Sequence, residues 1–166
     1  AWDMQEHCQR LLAAAGYAQY EVSAYAQAGR ECAHNLNYWR FGDYLGIGAG
    51  AHGKLSLGAD QDILRRWKTR HPARYLVDAG GAAAIGGDER IGPERRPFEF
   101  MLNALRLNSG FSLADYETRT GLDRGSIQPQ LDAAGERGWL RRQGNQVIPT
   151  DLGRRFTNDV VALFIN

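Results

Sequence analysis

The chain has 166 residues, with 20 Lys and Arg against 19 Asp and Glu and a formal net charge of +1. A balance this near zero gives no electrostatic basis for a nucleic-acid or membrane-surface partner. Hydrophobic residues make up 43% of the sequence, enough for a core, and no apolar run approaches the roughly 20 residues that a membrane span needs. Cys8 and Cys32 lie far apart in no CxxC pattern, so neither a disulfide framework nor a cysteine metal site is readable. Two reduced thiols in a cytoplasmic protein are expected. The chain opens directly in a helical pattern, with neither an initiator Met nor a secretory leader, and is expected to be a piece of a longer protein.

In chain order, Trp2 to Ala15 predicts an amphipathic helix with Cys8, Leu11, Leu12 and Ala15 on one face, stopped by Gly16. Tyr20 to Tyr25 (YEVSAY) has the β-branched and aromatic content of a strand, and helix–glycine–strand is the unit of a β/α architecture. Residues 26–37 show no periodicity and are expected to be loop. Tyr44 to Leu57 predicts a strand running through the glycines, with Ile63 to Thr69 as its partner. Pro72 opens a short helix ending at Gly80. Residues 80–97, GGAAAIGGDERIGPERRP, carry no apolar stripe and are expected to be a linker between a unit at 1–79 and a second at 98–166.

The second unit is well punctuated. Phe98 to Leu107 predicts a helix, and Ser112, with Asp115 three residues on, predicts a capped second helix ending at Gly121. Ser126 is expected to cap a third, Ile127 to Arg137. Trp139–Arg142 and Gln146–Pro149 predict a hairpin around Gly144–Asn145, and Thr150 caps a last helix with the stripe Leu152, Phe156, Val160, Leu163, Phe164. Three helices, a hairpin and a closing helix is the order of a winged helix. The third helix shows Gln128, Gln130, Asp132, Glu136 and Arg137 but no basic cluster, so a packing domain and no nucleic-acid partner are expected.

The chemistry concentrates in HNLNYWRFGDYLGIGAGAHG, residues 34–53. His34 is followed by Asn35, Asn37, Tyr38 and Trp39. Imidazole is a common metal ligand and an axial ligand of haem iron, and aromatic neighbours suit a flat ligand face. The other reading is a histidine bonded to backbone beside core aromatics. No second His or carboxylate stands three or four residues after His34, which argues against a zinc site. Gly48, Gly50 and Gly53 satisfy GxGxxG, but no helix follows, so a dinucleotide site is not indicated. The glycines admit either a flat ligand or a neighbouring backbone.

The run from Tyr20 to Gly53, and HNLNYW above all, resembles the later part of oxygen-independent coproporphyrinogen oxidase-like radical SAM proteins, in the haem-chaperone (HemW-type) branch. The resemblance implies an α+β chain: the last elements of a radical SAM (β/α) barrel at 1–79, then a small winged-helix-like domain. It also implies a longer protein with a [4Fe-4S] cluster and S-adenosylmethionine. The CxxxCxxC that would hold the cluster is absent here, so this chain alone is expected to retain neither and to have no metal ligands or catalytic residues of its own. On the resemblance, His34, Tyr38 and Trp39 would contact haem. Tyr25, Ala26, Gly46, Gly48, Gly50 and His52 would lie beside S-adenosylmethionine. It further implies transfer of haem to an unidentified acceptor protein, a membrane-associated one included. The alternative is radical decarboxylation of coproporphyrinogen, in which the cofactor supplies the reactivity. Self-association through an exposed barrel edge is expected of the isolated piece.

Overall fold

A computed structural model describes residues 2–58 and 62–165. The architecture is mixed α/β: three small sheets, all antiparallel, with helices between and after them.

α1 (Trp2–Ala14) forms as the periodicity predicts. Its stripe does not enter a core, because Cys8, Leu11 and Ala15 are exposed and Leu12 is half-buried. The strand expected at 20–25 is instead a hairpin, β1 (Ala18–Glu21) and β2 (Ala24–Ala26). The turn between them is tied by the Glu21 carboxylate, which accepts from Ser23 N at 3.1 Å and Ser23 Oγ at 2.9 Å. The helix–glycine–strand reading therefore does not extend into a parallel β/α repeat among the described residues.

Residues 33–39, expected to be loop, form α2 (Ala33–Trp39). None of its residues is buried, so it lacks the apolar stripe by which a helix is recognised in sequence. The strand expected from Tyr44 begins only at His52: β3 (His52–Leu57) pairs with β4 (Asp62–Lys68), which pairs with β5 (Ile85–Ile91). Between them lie α3 (Pro72–Asp78) and a 3₁₀ turn, Ala82–Ala84. The 3₁₀ turn and β5 occupy residues 82–91 of the expected linker. Its Gly86–Gly87 pair, which suggested a linker, lies against Trp67: a Cβ on Gly87 would sit 2.4 Å from the indole.

α4 (Arg96–Ala104) starts earlier than expected, on a buried Arg96 whose guanidinium donates to Thr120 O at 2.9 Å. β6 (Phe111–Ser112) leads into α5 (Leu113–Thr120), capped by Ser112 Oγ, which accepts from Ala114 N, and closed by Gly121 at φ 70°. The third-helix cap differs: Asp123 caps a 3₁₀ turn, Arg124–Ile127, that runs into α6 (Gln128–Glu136), while Ser126 hydrogen-bonds Tyr116 Oη at 2.8 Å. β7 (Leu140–Gln143) and β8 (Gln146–Pro149) form the expected hairpin, with Gly144 at φ 59°, and β6 adds to β8. Thr150 caps α7 (Asp151–Arg155), and the last helix breaks at Phe156 before α8 (Thr157–Ala162). Leu152 and Phe156 of its expected stripe are exposed, and Phe156 stacks on Trp139 with ring centroids 6.2 Å apart.

One apolar cluster unites the molecule. Phe100 is its hub, meeting Phe111, Tyr116 and Phe41 edge-on at 5.2, 5.3 and 5.7 Å. Phe41, Ile63 and Ile91 join the core of α4, α5, α6 and α8.

Candidate functional site

α2 displays its aromatic residues on two faces. His34 is exposed and meets Tyr38, one helical turn on, edge to face at 4.7 Å and 87°. Tyr38 in turn meets Tyr44 at 4.2 Å. Trp39 projects elsewhere: the Arg106 guanidinium lies 4.3 Å from its ring centre, and Glu21 pairs with Arg106 at 3.1 Å. Trp39 also lines a cleft of about 460 Å³ with Arg40, Phe100, Leu107, Phe111 and Arg119. The structure thus brings His34 and Tyr38 together and sets Trp39 towards the core, a division that the run HNLNYW does not reveal. HNxxYW was expected in a loop; a helix presents it.

The amides of α2 are also engaged. Asn35 Nδ2 donates to Tyr20 Oη at 3.3 Å, and Asn37 Nδ2 donates to Asp43 O at 2.8 Å. Asp43 then reaches β3: its carboxylate accepts from Lys54 Nζ at 3.0 Å, Ser56 N at 2.9 Å and Ser56 Oγ at 2.9 Å. Burial alone would raise the Asp43 pKa, but these donors outweigh it and hold the carboxyl below the usual value. Burial lowers the Lys54 pKa, against the opposing pull of Asp43. Asp43, Lys54 and Ser56 were not singled out from sequence. The one available signal was that Lys54 is one of only two lysines.

The glycine run is a loop that folds back on β3, not a strand cleared for a ligand along its length. Tyr44 N and Lys54 N each donate to the other residue's carbonyl at 2.9 Å. A Cβ on Gly46 would lie 2.5 Å from His52 O, so a neighbouring backbone fills that space. Gly48 and Gly50 adopt φ 108° and 69°, and nothing lies within 4 Å of where a Gly48 side chain would begin. Gly48 N donates to Tyr75 Oη at 3.1 Å, joining the loop to α3. His52 is exposed on β3 and stacks on Trp67 at 6.2 Å. Tyr25, half-buried, and Ala26, buried, sit on β2 in a different sheet. Among the described residues no three His, Cys, Asp or Glu side chains cluster to hold a metal, and both cysteines are exposed, so these residues do not fit an iron–sulfur cluster. No helix among them is long and apolar enough to cross a membrane.

A family model described as the HemN C-terminal domain matches residues 91–156. Over 164 residues the chain is 43% identical to a protein named heme chaperone HemW from Escherichia coli (strain K12), covering 99% of this chain and 42% of that protein. It is 41% identical, with the same coverage, to heme chaperone HemW from Haemophilus influenzae. It is 34% identical to heme chaperone HemW from Mycobacterium tuberculosis (strain CDC 1551 / Oshkosh), covering 90% of this chain and 35% of that protein. The chain thus spans less than half the length of the curated relatives it matches. Among solved structures it superposes, with a TM-score of 0.67 and 14% identity, on coproporphyrinogen III oxidase (HemN) from Escherichia coli, described as a radical SAM enzyme. That likeness, over 99% of this chain and 41% of that one, is one of fold. Residues 91–156 thus match the HemN C-terminal domain model, and the chain as a whole is similar to a C-terminal portion of HemW-type proteins.

Proposed function

We propose that this chain is the C-terminal portion of a cytoplasmic radical SAM haem chaperone, which binds haem as cargo and passes it to an acceptor protein. One observation carries the reading: α2 holds an exposed His34 against Tyr38, which in turn meets Tyr44, in a chain whose relatives at 41–43% identity are named heme chaperones. His34 offers an imidazole nitrogen to iron, and the Tyr38 ring fixes the imidazole plane. Trp39 supports the helix from behind through Arg106. The oxidase alternative is less favoured, because the relatives at 41–43% identity are named heme chaperones, whereas the solved coproporphyrinogen III oxidase is 14% identical.

In this reading residues 1–79 are the last elements of a radical SAM barrel and 98–166 a winged-helix-like domain. The [4Fe-4S] cluster and S-adenosylmethionine would belong to the longer protein. When bound they would supply reductive radical chemistry. Of Gly46, Gly48 and Gly50, Gly48 is the one with nothing within 4 Å of where a Cβ would sit, so the loop at 46–50, with His52, is the part proposed to approach S-adenosylmethionine. Tyr25 and Ala26 would approach it from the β1–β2 hairpin. Acceptors at a membrane are included, nucleic acid is not, and exposed Leu45, Ile47, Leu76 and Val77 support self-association of the isolated chain.

The test is haemin titration of the full-length, cluster-loaded protein beside an assay for coproporphyrinogen consumption. Saturable haemin binding that His34→Ala weakens, with no coproporphyrinogen consumed, is expected. Conversion to protoporphyrinogen would overturn the chaperone reading.

A further inference from the structure

The connection from α2 to β3 is fixed at every residue from 41 to 44. Phe41 has φ 56°, the only positive value at a non-glycine among the described residues, and its ring is 1% exposed. Gly42 N donates to Asn37 O at 2.8 Å, and a Cβ on Gly42 would sit 2.1 Å from Asn37 Oδ1. Asn37 therefore grips two successive residues, Gly42 through its carbonyl and Asp43 through its side-chain amide. Asp43 grips β3 through Lys54 and Ser56, and Lys54 Nζ lies 4.2 Å from the centre of the Phe41 ring. Tyr44, next in the chain, is pinned to Lys54 by two backbone bonds, and its ring touches Tyr38, which touches His34.

We propose that Lys54 and Asp43, with Asn37, form a latch that sets the position of the His34–Tyr38 face, making them positioning residues for haem binding. The inference rests on the reading of α2 as the haem contact. A buried ion pair is a poor source of stability, since an apolar group of similar size in its place often leaves stability unchanged or higher. What Lys54 and Asp43 supply instead is a fixed distance and direction between β3 and residues 41–44. The Lys54 side chain is 3% exposed and that of Asp43 38%, so removing the Lys54 charge leaves Asp43 partly hydrated and still bonded to Ser56. Lys54→Met thus separates geometry from stability.

In full-length protein, Lys54→Met is expected to keep the unfolding midpoint within a few degrees of wild type while weakening haemin binding at least fivefold and changing the iron-ligand absorption bands. Thr150→Ala, which removes the α7 cap, is the control: it lowers stability and leaves the haem spectrum alone. In the haem-free protein, the NMR shift of the His34 ring protons, set in part by the Tyr38 ring current, is expected to move in Lys54→Met. Asp43→Asn is the second variant should Lys54→Met fail to fold, with the same expectations for haemin binding and the His34 shift. Wild-type haemin affinity, spectrum and His34 shift in a folded latch variant would overturn the latch. If His34→Ala weakens binding and folded Lys54→Met does not, the latch falls and the haem reading stands. If His34→Ala is also silent, the haem reading itself falls.

Discussion

The two ends of the molecule are held together differently. From Phe100 to Phe164 a continuous apolar core packs α4, α5, α6 and α8, and each helix gives it side chains at helical spacing. Before α4 buried hydrophobic residues are sparse, and the most exposed large ones, Met4, Leu45, Ile47, Leu76 and Val77, all lie there. Phe41, Ile63 and Ile91 tie that region to the core, and the rest of it is held by main-chain contacts and by polar links: the Glu21–Arg106 pair, the Asn108 Nδ2 bond to Gln19 O at 2.7 Å, and the latch around Asp43. Apolar packing fixes a fold over many residues at once, whereas a polar link fixes one geometry at one place. The proposed haem-contacting helix lies in the second kind of structure.

The contrast can be broken most sharply at Phe100. Phe100→Ala is expected to cost about 3–5 kcal/mol by denaturant unfolding, because it empties the centre of the core. A loss below about 1 kcal/mol would show that this region is not held by packing.

The next largest effect is expected at Asp43. Asp43→Ala strands the buried Lys54 ammonium and should cost about 2 kcal/mol, less than a fully buried pair because Asp43 is partly exposed. The same residue gives a pH signature. Its carboxyl is held below the usual value in the folded chain, so its stabilisation is present above the unfolded pKa and is lost as pH falls through the folded one. Asp43→Ala should flatten that acid limb of the stability curve. An unchanged limb would assign it to other carboxylates.

The smallest effect is expected at Arg66, which pairs with Asp88 between β4 and β5, both side chains well exposed. Arg66→Ala should change stability by less than about 1 kcal/mol. A larger loss would mean that surface pairs matter more in this region than the latch account requires.

The same contrast explains what was legible in the sequence. In the C-terminal region the caps at Ser112 and Thr150, the Gly144 turn and the helix order could be read, because each rests on neighbours a few residues away. The sequence offers Ser126 as the third cap, whereas Asp123 takes that role and Ser126 bonds Tyr116 on α5. Earlier in the chain, α2 has no apolar stripe, β5 carries glycines required by Trp67, and Gly46 is required by the backbone of His52. All three depend on residues brought close only by folding. For the candidate site, the residue types in HNLNYW and the glycine run single out a segment, but not its arrangement. The split of Trp39 from His34, and the union of Asp43 with Lys54 and Ser56, needed the helix and the sheet register.

The central claim is that α2 presents His34 to haem. Its most direct test is haemin titration of full-length protein, wild type against His34→Ala, followed by the Soret band. The account predicts weaker binding and a shifted band in the variant; the same affinity and the same band would contradict it.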